Sequence, residues 1–349
     1  MSRVVCRRLG IAVALFCVCA VLHWSLAAFD DSSFGDKMIA MTASERLVDD
    51  ALRSLEECPA FSAKVDFETR LFGKQYYGSG EYKEFPLLRD ASSKSLRAPL
   101  ERVNFMLNVQ MAPERDSEEA PDSLNIVCDC NKRAWWRNDA TNSPATLSQI
   151  NLDDLRNSLS YLGEEETRRL RENGVTRSCG MNGMPGLGGL AGTLKRVASY
   201  YRFDPNYQEV VSSRQNVDAT IPDVAFLKIV GVANSRYWDL IHANLNDHSS
   251  EVPDYIAENL PTSVEVYFRN LTDSSGRRRP FPCKFQYFCD DASGKGEERR
   301  LLFSVEYSTV VFNDPNVQLS DFDYIQPAIT FERLTDEYVR ELTEPLPYQ

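Results

Sequence analysis

Few side chains in this sequence have the type and spacing that catalysis requires. The chain contains three histidines, and because His23 lies in an apolar N-terminal segment, a hydrolase would depend on His242 or His248. Asp239 and His242 would share one helical face and could hold a metal, but two ligands without a third more often form a surface pair. The sequence also lacks a Gly-x-Ser-x-Gly nucleophile turn. We therefore expect no enzyme, no metal site and no cofactor, and a hydrolase that uses His242 is the least favoured alternative.

A glycine-rich segment, 179–192, precedes a predicted helix. Gly186, Gly188 and Ala191 match a dinucleotide-binding fingerprint, but that motif needs a buried strand directly before it, and residues 174–178 do not form one. We interpret the segment as a connection or as an apolar flap on a flexible backbone.

Six cysteines follow the N-terminal segment: Cys58, Cys128, Cys130, Cys179, Cys283 and Cys289. An even number in an exported chain favours some disulfides. Cys283 and Cys289 cannot pair with each other if they lie on one strand, because six residues of strand span roughly 20 Å. One residue between Cys128 and Cys130 is too few for a zinc-binding pair.

Charge and the N-terminus indicate compartment and partners. The formal net charge is −12, so nucleic acid is an unexpected partner. Residues 1–28 carry three arginines, an apolar run and small residues at 25–28, which is typical of a signal peptide. An uncleaved N-terminal anchor in the inner membrane is the alternative. We expect a periplasmic or otherwise exported protein.

The strongest structural signal is an alternation of apolar and polar residues from Phe61 to Leu71, with Thr69 as the exception. The same alternation returns at Arg102–Met111. A period of two predicts strands with one solvated face, and therefore an antiparallel sheet. Before the first strand, Thr42 or Ser44 is predicted to cap a helix that ends by Pro59. Gly78 and Gly80 in the second strand predict a bulge or a sharp curl.

The rest of the chain is predicted as one domain over 42–349, with a helical insertion at about 151–201 and then more strands. The insertion comprises a helix from Leu152 to Leu162, its charged extension, and a helix from Thr193 to Tyr201. A closing helix is predicted at Leu334–Leu342. The remaining predicted strands are Gln75–Phe85, Leu124–Cys128, Ala134–Arg137, Tyr207–Ser212, Val224–Tyr237, Ser263–Phe268, Phe281–Phe288, Leu301–Phe312 and Phe322–Phe331.

The order of these features resembles the periplasmic lipoprotein carrier (LolA-like) family. The resemblance is carried by Ala43–Leu47 with the strand from Phe61, by Gly78–Tyr82 with Pro86, by Asp129 with Trp135, and by Phe322, Tyr324 and Pro327. Two positions depart from it. Phe85 stands where the family tends to carry arginine, and Cys130 follows Asp129 where the family has glycine.

The resemblance implies an α+β fold, in which a curled antiparallel β-sheet forms an incomplete β-barrel and helices cover its concave face. It implies acyl chains in the cavity, and as partners lipids or acylated protein, with an inner- or outer-membrane receptor as a further partner. Such a protein binds lipid or lipoprotein without catalysis. The alternative on the same scaffold is a structural, interaction or envelope-sensing module without a lipid pocket.

Apolar side chains on the alternating strands are the candidate lipid-binding residues, and the competing interpretation is an ordinary core. They are Phe61, Val65, Phe67, Val103, Phe105, Leu107, Val109 and Trp135.

Overall fold

The structure is a computed structural model of the chain. It describes residues 41–58, 60–71, 74–86, 103–112, 122–129, 132–138, 146–151, 154, 189–212, 224–238, 259–272, 276–289, 299–323 and 330–333.

The first helix, α1, runs from Ala43 to Glu57 and begins where its sequence predicts. The Thr42 hydroxyl accepts a hydrogen bond from the Glu45 amide, and the Glu45 carboxylate accepts one from the Thr42 amide. This capping box satisfies two backbone donors that would otherwise have no partner. The apolar residues Leu47, Val48, Ala51 and Leu55 recur at helical spacing and are buried.

In the part of the chain that the structure describes, thirteen strands form one sheet. Their order across the sheet is β13-β6-β5-β4-β3-β2-β1-β12-β11-β10-β9-β7, and β8 also pairs with β9. All described pairs are antiparallel except the parallel pair of β13 with β6. The first six strands are β1 Phe61–Leu71, β2 Lys74–Pro86, β3 Val103–Ala112, β4 Asp122–Asp129, β5 Lys132–Asn138 and β6 Thr146–Asn151. The helix α2, Gly189–Tyr200, comes next. The other strands are β7 Tyr201–Phe203, β8 Gln208–Ser212, β9 Val224–Ala233, β10 Ser263–Thr272, β11 Arg278–Cys289, β12 Arg300–Phe312 and β13 Thr330–Arg333.

The strand β1 joins two runs of sequential strands. It pairs with β2, the next strand in the chain, and on its other side with β12, so that Phe61 lies opposite Phe312 and Thr69 opposite Phe303. We call the β1–β12 pairing the seam. It brings together residues more than 230 positions apart.

The length of α2 shows that the sheet is curled. The Leu190 amide, at the start of α2, donates a hydrogen bond to Glu84 on β2, and the helix ends directly in β7. β2 and β7 are six strand spacings apart, which is about 29 Å in a flat sheet. A helix of 12 residues reaches only about 18 Å. The sheet must therefore bend, and α2 crosses its concave side as a chord.

Both helices cover this concave face, as predicted. α1 packs against β11 and α2, and α2 also contacts β3. Ion pairs join Glu56 to Lys195 on α2 and Glu57 to Arg279 on β11. No helix in the described part of the chain is long and apolar enough to cross a membrane. The predicted α+β fold with a curled, open antiparallel sheet is confirmed.

Of the two predicted roles of the glycines in β2, the bulge is wrong. The register of β2 is continuous with both β1 and β3, so neither Gly78 nor Gly80 forms a bulge. Instead, a methyl group at Gly78 would overlap the ring of Phe67, and one at Gly80 would overlap the backbone of β3. One register shift lies in the seam, where Thr309 adopts a positive φ of 51°.

The segment after β12 differs from its predicted strand. Phe322 lies in a 3-10 helix, Leu319–Phe322, and the described strand in this region is Thr330–Arg333. Phe322 and Val317 pack with Ala60 and Val127 in a second apolar cluster, separate from the main core. An ion pair of Asp321 with Lys83 fixes this segment against β2.

Other predictions have mixed outcomes. The sequence reasoning missed β6 and β7, and α2 begins at Gly189, four residues earlier than predicted.

The described cysteines, Cys58, Cys128, Cys283 and Cys289, are buried thiols and not disulfides. The signal or anchor segment, Cys130, Cys179, the closing helix and all of the 152–162 helix except Asp154 lie outside the described residues.

Replacing Gly78 with alanine tests the contact between β1 and β2. Because the new methyl group would overlap the Phe67 ring, we expect the free energy of unfolding to fall by roughly 1–3 kcal/mol. Ser79→Ala is the control, because Ser79 is exposed and should change stability by no more than about 0.5 kcal/mol. Urea unfolding measures both, and equal effects would contradict the assigned register.

Candidate functional site

The concave face of the sheet beneath α2 is the candidate site. Six of the eight predicted residues lie here in one apolar cluster: Phe61, Val65, Phe67, Phe105, Leu107 and Val109. Val103 begins β3, and Trp135 lies in β5 with Ile126 opposite it in the register. For these two residues only the backbone position is described.

The six side chains are tightly packed. Phe61, Phe105, Leu107 and Val109 have no exposed surface. The Phe61 ring lies 5.5 Å from that of Phe281 and 5.7 Å from that of Tyr82, measured between centroids. In this conformation the residues form a core, and a ligand would have to replace one of their present neighbours.

The neighbour that spans this face is α2, and its N-terminus is bound to the sheet by a buried carboxylate. Glu84, 1% exposed, accepts a hydrogen bond from the Leu190 amide at 2.8 Å and another from the Tyr82 hydroxyl. A carboxylate at a helix N-terminus receives unpaired N–H groups and favourable interaction with the helix dipole. We call this contact the Glu84 latch.

Gly189 fits the latch for two reasons. Its φ is +61°, which disfavours side chains with a Cβ atom, and a methyl group there would lie 2.6 Å from a Glu84 carboxylate oxygen. Gly192, three residues later, has open space where a methyl group would be. A methyl group should therefore disturb the structure at position 189 and be tolerated at position 192.

The C-terminus of α2 is held by hydrogen bonds from Asn234 to its last carbonyl groups. The Asn234 side-chain amide donates to the Ser199 carbonyl, and its backbone amide donates to the Tyr200 carbonyl, both at 2.9 Å. Tyr201 then enters β7, which pairs with β9. The helix is continuous with the sheet at this end and is joined to it by side-chain contacts at the other.

Five buried tyrosines cross the concave face. We call them the tyrosine row: Tyr82, Tyr307, Tyr287, Tyr201 and Tyr237, all 5% exposed or less except Tyr201 at 6%. Ring centroids lie 5.6 Å apart for Tyr82 and Tyr307, 6.3 Å for Tyr287 and Tyr201, and 5.7 Å for Tyr201 and Tyr237. The face is thus aromatic but also carries hydroxyl groups.

Burial controls the ionisation of this row. It raises the pKa of Tyr287 to about 12, opposed by the positive charge of Arg196 on α2. Burial, followed by the negative charge of Glu84, raises the pKa of Tyr82 and of Tyr307 well above the ordinary value. The hydroxyls are therefore neutral donors at physiological pH.

Sequence reasoning missed both Glu84 and the tyrosine row. The available signal was the period of two in β2, which places Tyr82 and Glu84 on the same face as Gly78 and Gly80. The continuous register shows that Glu84 lies opposite the buried Phe61.

The described residues contain no group of three or more His, Cys, Asp or Glu side chains that could hold a metal ion. Asp239, His242 and His248 lie outside the described part of the chain, as do Gly186 and Gly188. The described remainder of the glycine-rich segment, 189–192, is the first turn of α2 and not a connection.

Comparisons with known proteins give structural likenesses only. No family model and no curated protein matches the sequence. LprF from Mycobacterium bovis is 9% identical, with a TM-score of 0.33 over 80% of this chain and 97% of that protein. A DUF1329 family protein from Desulfovibrio piger ATCC 29098 is 8% identical, with a TM-score of 0.29 over 80% of this chain and 96% of that one.

A third solved structure is a putative outer membrane lipoprotein-sorting protein domain from Vibrio parahaemolyticus. It is 10% identical, with a TM-score of 0.25 over 79% of this chain and 94% of that one. TM-scores of this size do not establish a shared ligand or activity.

The tyrosine row predicts the response to alkaline pH. The pKa of Tyr287 is raised from 10.0 to about 12, so its contribution to stability is complete below pH 10 and is lost as the pH rises towards 12. Each such tyrosine lowers the free energy of unfolding by up to about 1.4 kcal/mol per pH unit. Tyr287→Phe should reduce this slope between pH 10 and 12 in urea titrations. An unchanged slope would contradict the burial of this hydroxyl.

Proposed function

We propose that this chain is an exported, non-catalytic protein of the cell envelope that binds acyl chains between the concave face of its sheet and α2. Its ligand would be a lipid or an acylated protein. Delivery from or to a membrane receptor is a further part of the proposal. The feature that supports it best is α2 itself, a chord that covers a wide apolar surface and is attached differently at its two ends.

The apolar side of α2 occupies the space that an acyl chain would need. Leu190, Leu194 and Val197 are buried against the sheet. These side chains are aliphatic, so a hydrocarbon chain could occupy the space that they fill. Glu84 would keep its hydrogen bond from the Tyr82 hydroxyl when the Leu190 amide moves away. Burial of each methylene group contributes about 0.8 kcal/mol.

The two ends of α2 suggest how the space opens. The N-terminal end is attached through the Glu84 latch, whereas the C-terminal end continues into the sheet. Loss of the latch would allow the helix to pivot about Tyr200 and Tyr201. The acyl chain would then contact the predicted residues on β1 and β3, with Val103 and Trp135 as further candidates.

A second candidate function is a structural, interaction or envelope-sensing module. The observation in its favour is that Phe61, Phe105, Leu107 and Val109 have no exposed surface. If α1 and α2 fill the sheet permanently, the same scaffold has no lipid site and would act through its outer surface.

Two alanine variants of α2 distinguish these functions. Gly189→Ala disrupts the latch, because the methyl group meets the Glu84 carboxylate and the backbone conformation becomes unfavourable by about 1–2 kcal/mol. If the helix must move before ligand binds, this increases the competent population, and affinity for a fluorescent fatty-acyl probe should rise about 5- to 30-fold. Gly192→Ala, the matched control, adds the same group in open space and should leave affinity unchanged.

Urea unfolding must show that both variants remain folded. Weak or undetectable probe binding by all three proteins, with Gly189→Ala merely less stable, would contradict the acyl-binding proposal and favour the filled scaffold. Native mass spectrometry of the chain purified from its own envelope would then identify any copurified lipid.

A further inference from the structure

The end of the β10–β11 hairpin separates from the rest of the sheet. In the described pairing, β10 bonds to β9 only over residues 263–268, and β11 bonds to β12 only over residues 284–289. The residues nearer the turn, 269–272 and 278–281, pair with each other alone. We call residues 269–272 and 277–281 the basic ribbon. The sequence from 269 to 279 contains four arginines and one acidic residue, Asp273, which lies outside the described residues.

The basic ribbon is anchored to the body of the protein. Two strands alone are only marginally stable in water, so such a ribbon needs further contacts. The Phe281 ring packs against those of Phe61 and Phe312, with 5.5 Å between ring centroids in each pair. The Arg279 guanidinium forms an ion pair of 2.5 Å with Glu57, at the C-terminal end of α1. These contacts fix the position of the other arginines.

The remaining arginines of the ribbon, Arg269, Arg277 and Arg278, are exposed. They form a local basic surface on a chain whose formal net charge is −12. Charges more than about 8 Å away are largely screened at physiological ionic strength, so the ribbon and not the net charge determines what is attracted here. Guanidinium groups bind phosphate oxygens through two parallel hydrogen bonds. The surface is therefore suited to an anionic partner that presents phosphate groups.

The ribbon lies at the same end of the strands as the Glu84 latch. Phe61 is opposite Glu84 in β2 and opposite Phe312 in β12, and its ring contacts Phe281 at the base of the ribbon. Glu84 in turn binds the Leu190 amide at the start of α2. A surface that binds the ribbon would therefore face the end of α2 that opens in the proposed function.

We propose that the basic ribbon docks the protein on the anionic phospholipid surface of a membrane. This choice of partner rests on the proposed function, because the acyl chains that the concave face would bind are present in a membrane. Docking through the ribbon brings the latched end of α2 towards the lipid. An acyl chain could then pass between the bilayer and the concave face without crossing water.

The test measures binding of the full chain to vesicles in the absence of any acyl probe. Vesicles of phosphatidylcholine are compared with vesicles in which about one third of the lipid is phosphatidylglycerol. An arginine near such an anionic surface strengthens binding about fivefold. We expect cosedimentation with the anionic vesicles at low salt, weak cosedimentation with phosphatidylcholine alone, and loss of the preference at high salt.

A triple variant assigns the binding to the ribbon. It combines Arg269→Gln, Arg277→Gln and Arg278→Gln and keeps Arg279, whose ion pair anchors the ribbon. Its affinity for the anionic vesicles should fall roughly 100-fold.

The matched control removes the same charge from the opposite end of the strands. It combines changes to glutamine at three exposed arginines: Arg202, Arg236 and Arg300. Arg202 and Arg300 lie near the β9 and β11 residues that are distant from the ribbon, since they pair with Val232 and Cys289. The control should bind the anionic vesicles as the wild type does. Urea unfolding must show that both triple variants are folded.

The outcomes separate this inference from the proposed function. Equal binding to both kinds of vesicle, or an equal loss in the two triple variants, would overturn membrane docking through the ribbon. Binding of soluble polyglutamate through the ribbon arginines, without binding to vesicles, would indicate an acidic protein partner and would overturn it too. Binding to anionic vesicles that depends on the ribbon, in a protein that binds no fatty-acyl probe, would support the docking surface and overturn acyl binding.

Discussion

A geometric constraint governs this structure: a 12-residue helix must connect β2 to β7, six strand spacings away. Only a curled sheet can satisfy it. The curvature in turn creates a concave face, and that face must be filled because apolar side chains from both halves of the sheet converge on it. α1 and α2 together complete a core that extends from Leu124 on β4 to Ile229 on β9. The Glu84 latch attaches the N-terminal end of α2 to the sheet, and α2 is the helix that spans this core.

The same face combines two chemical characters. Aromatic and aliphatic side chains give it the properties of an alkane-binding surface, whereas the tyrosine row, Glu84 and Arg196 bring polar groups to its interior. Two of the buried hydroxyls have defined acceptors, since Tyr82 donates to Glu84 and Tyr201 donates to the Pro261 carbonyl. These polar contacts lie under a helix whose two ends are attached differently, the first through Glu84 and the second through the continuation into β7.

How much the sequence could predict depended on the range of the interaction responsible. Local signals were reliable: the Thr42–Glu45 capping box placed α1, and the period of two placed β1 and β3 nearly to the residue. The strand β6 was missed because its six residues show little apolar alternation. Its parallel pairing with β13 joins residues far apart in the sequence. The close contacts of the β2 glycines could not be predicted, because they are made by neighbouring strands: Gly78 lies against the Phe67 ring and Gly80 against the β3 backbone. Glu84 was missed because an acidic residue in a strand ordinarily indicates the solvated face, and only its contact with α2 explains its burial.

The seam has a consequence for how this protein reaches its folded state. On either side of it, β1 to β6 and β9 to β12 pair with sequential neighbours, so each run can form through connections much shorter than the one that the seam closes. The seam itself must wait until residues near 312 have left the ribosome, because Phe312 lies opposite Phe61. Closing a loop of this length is slow compared with hairpin formation. The nascent chain therefore stays divided into two incomplete halves with open strand edges, a state that calls for protection from aggregation until the halves join.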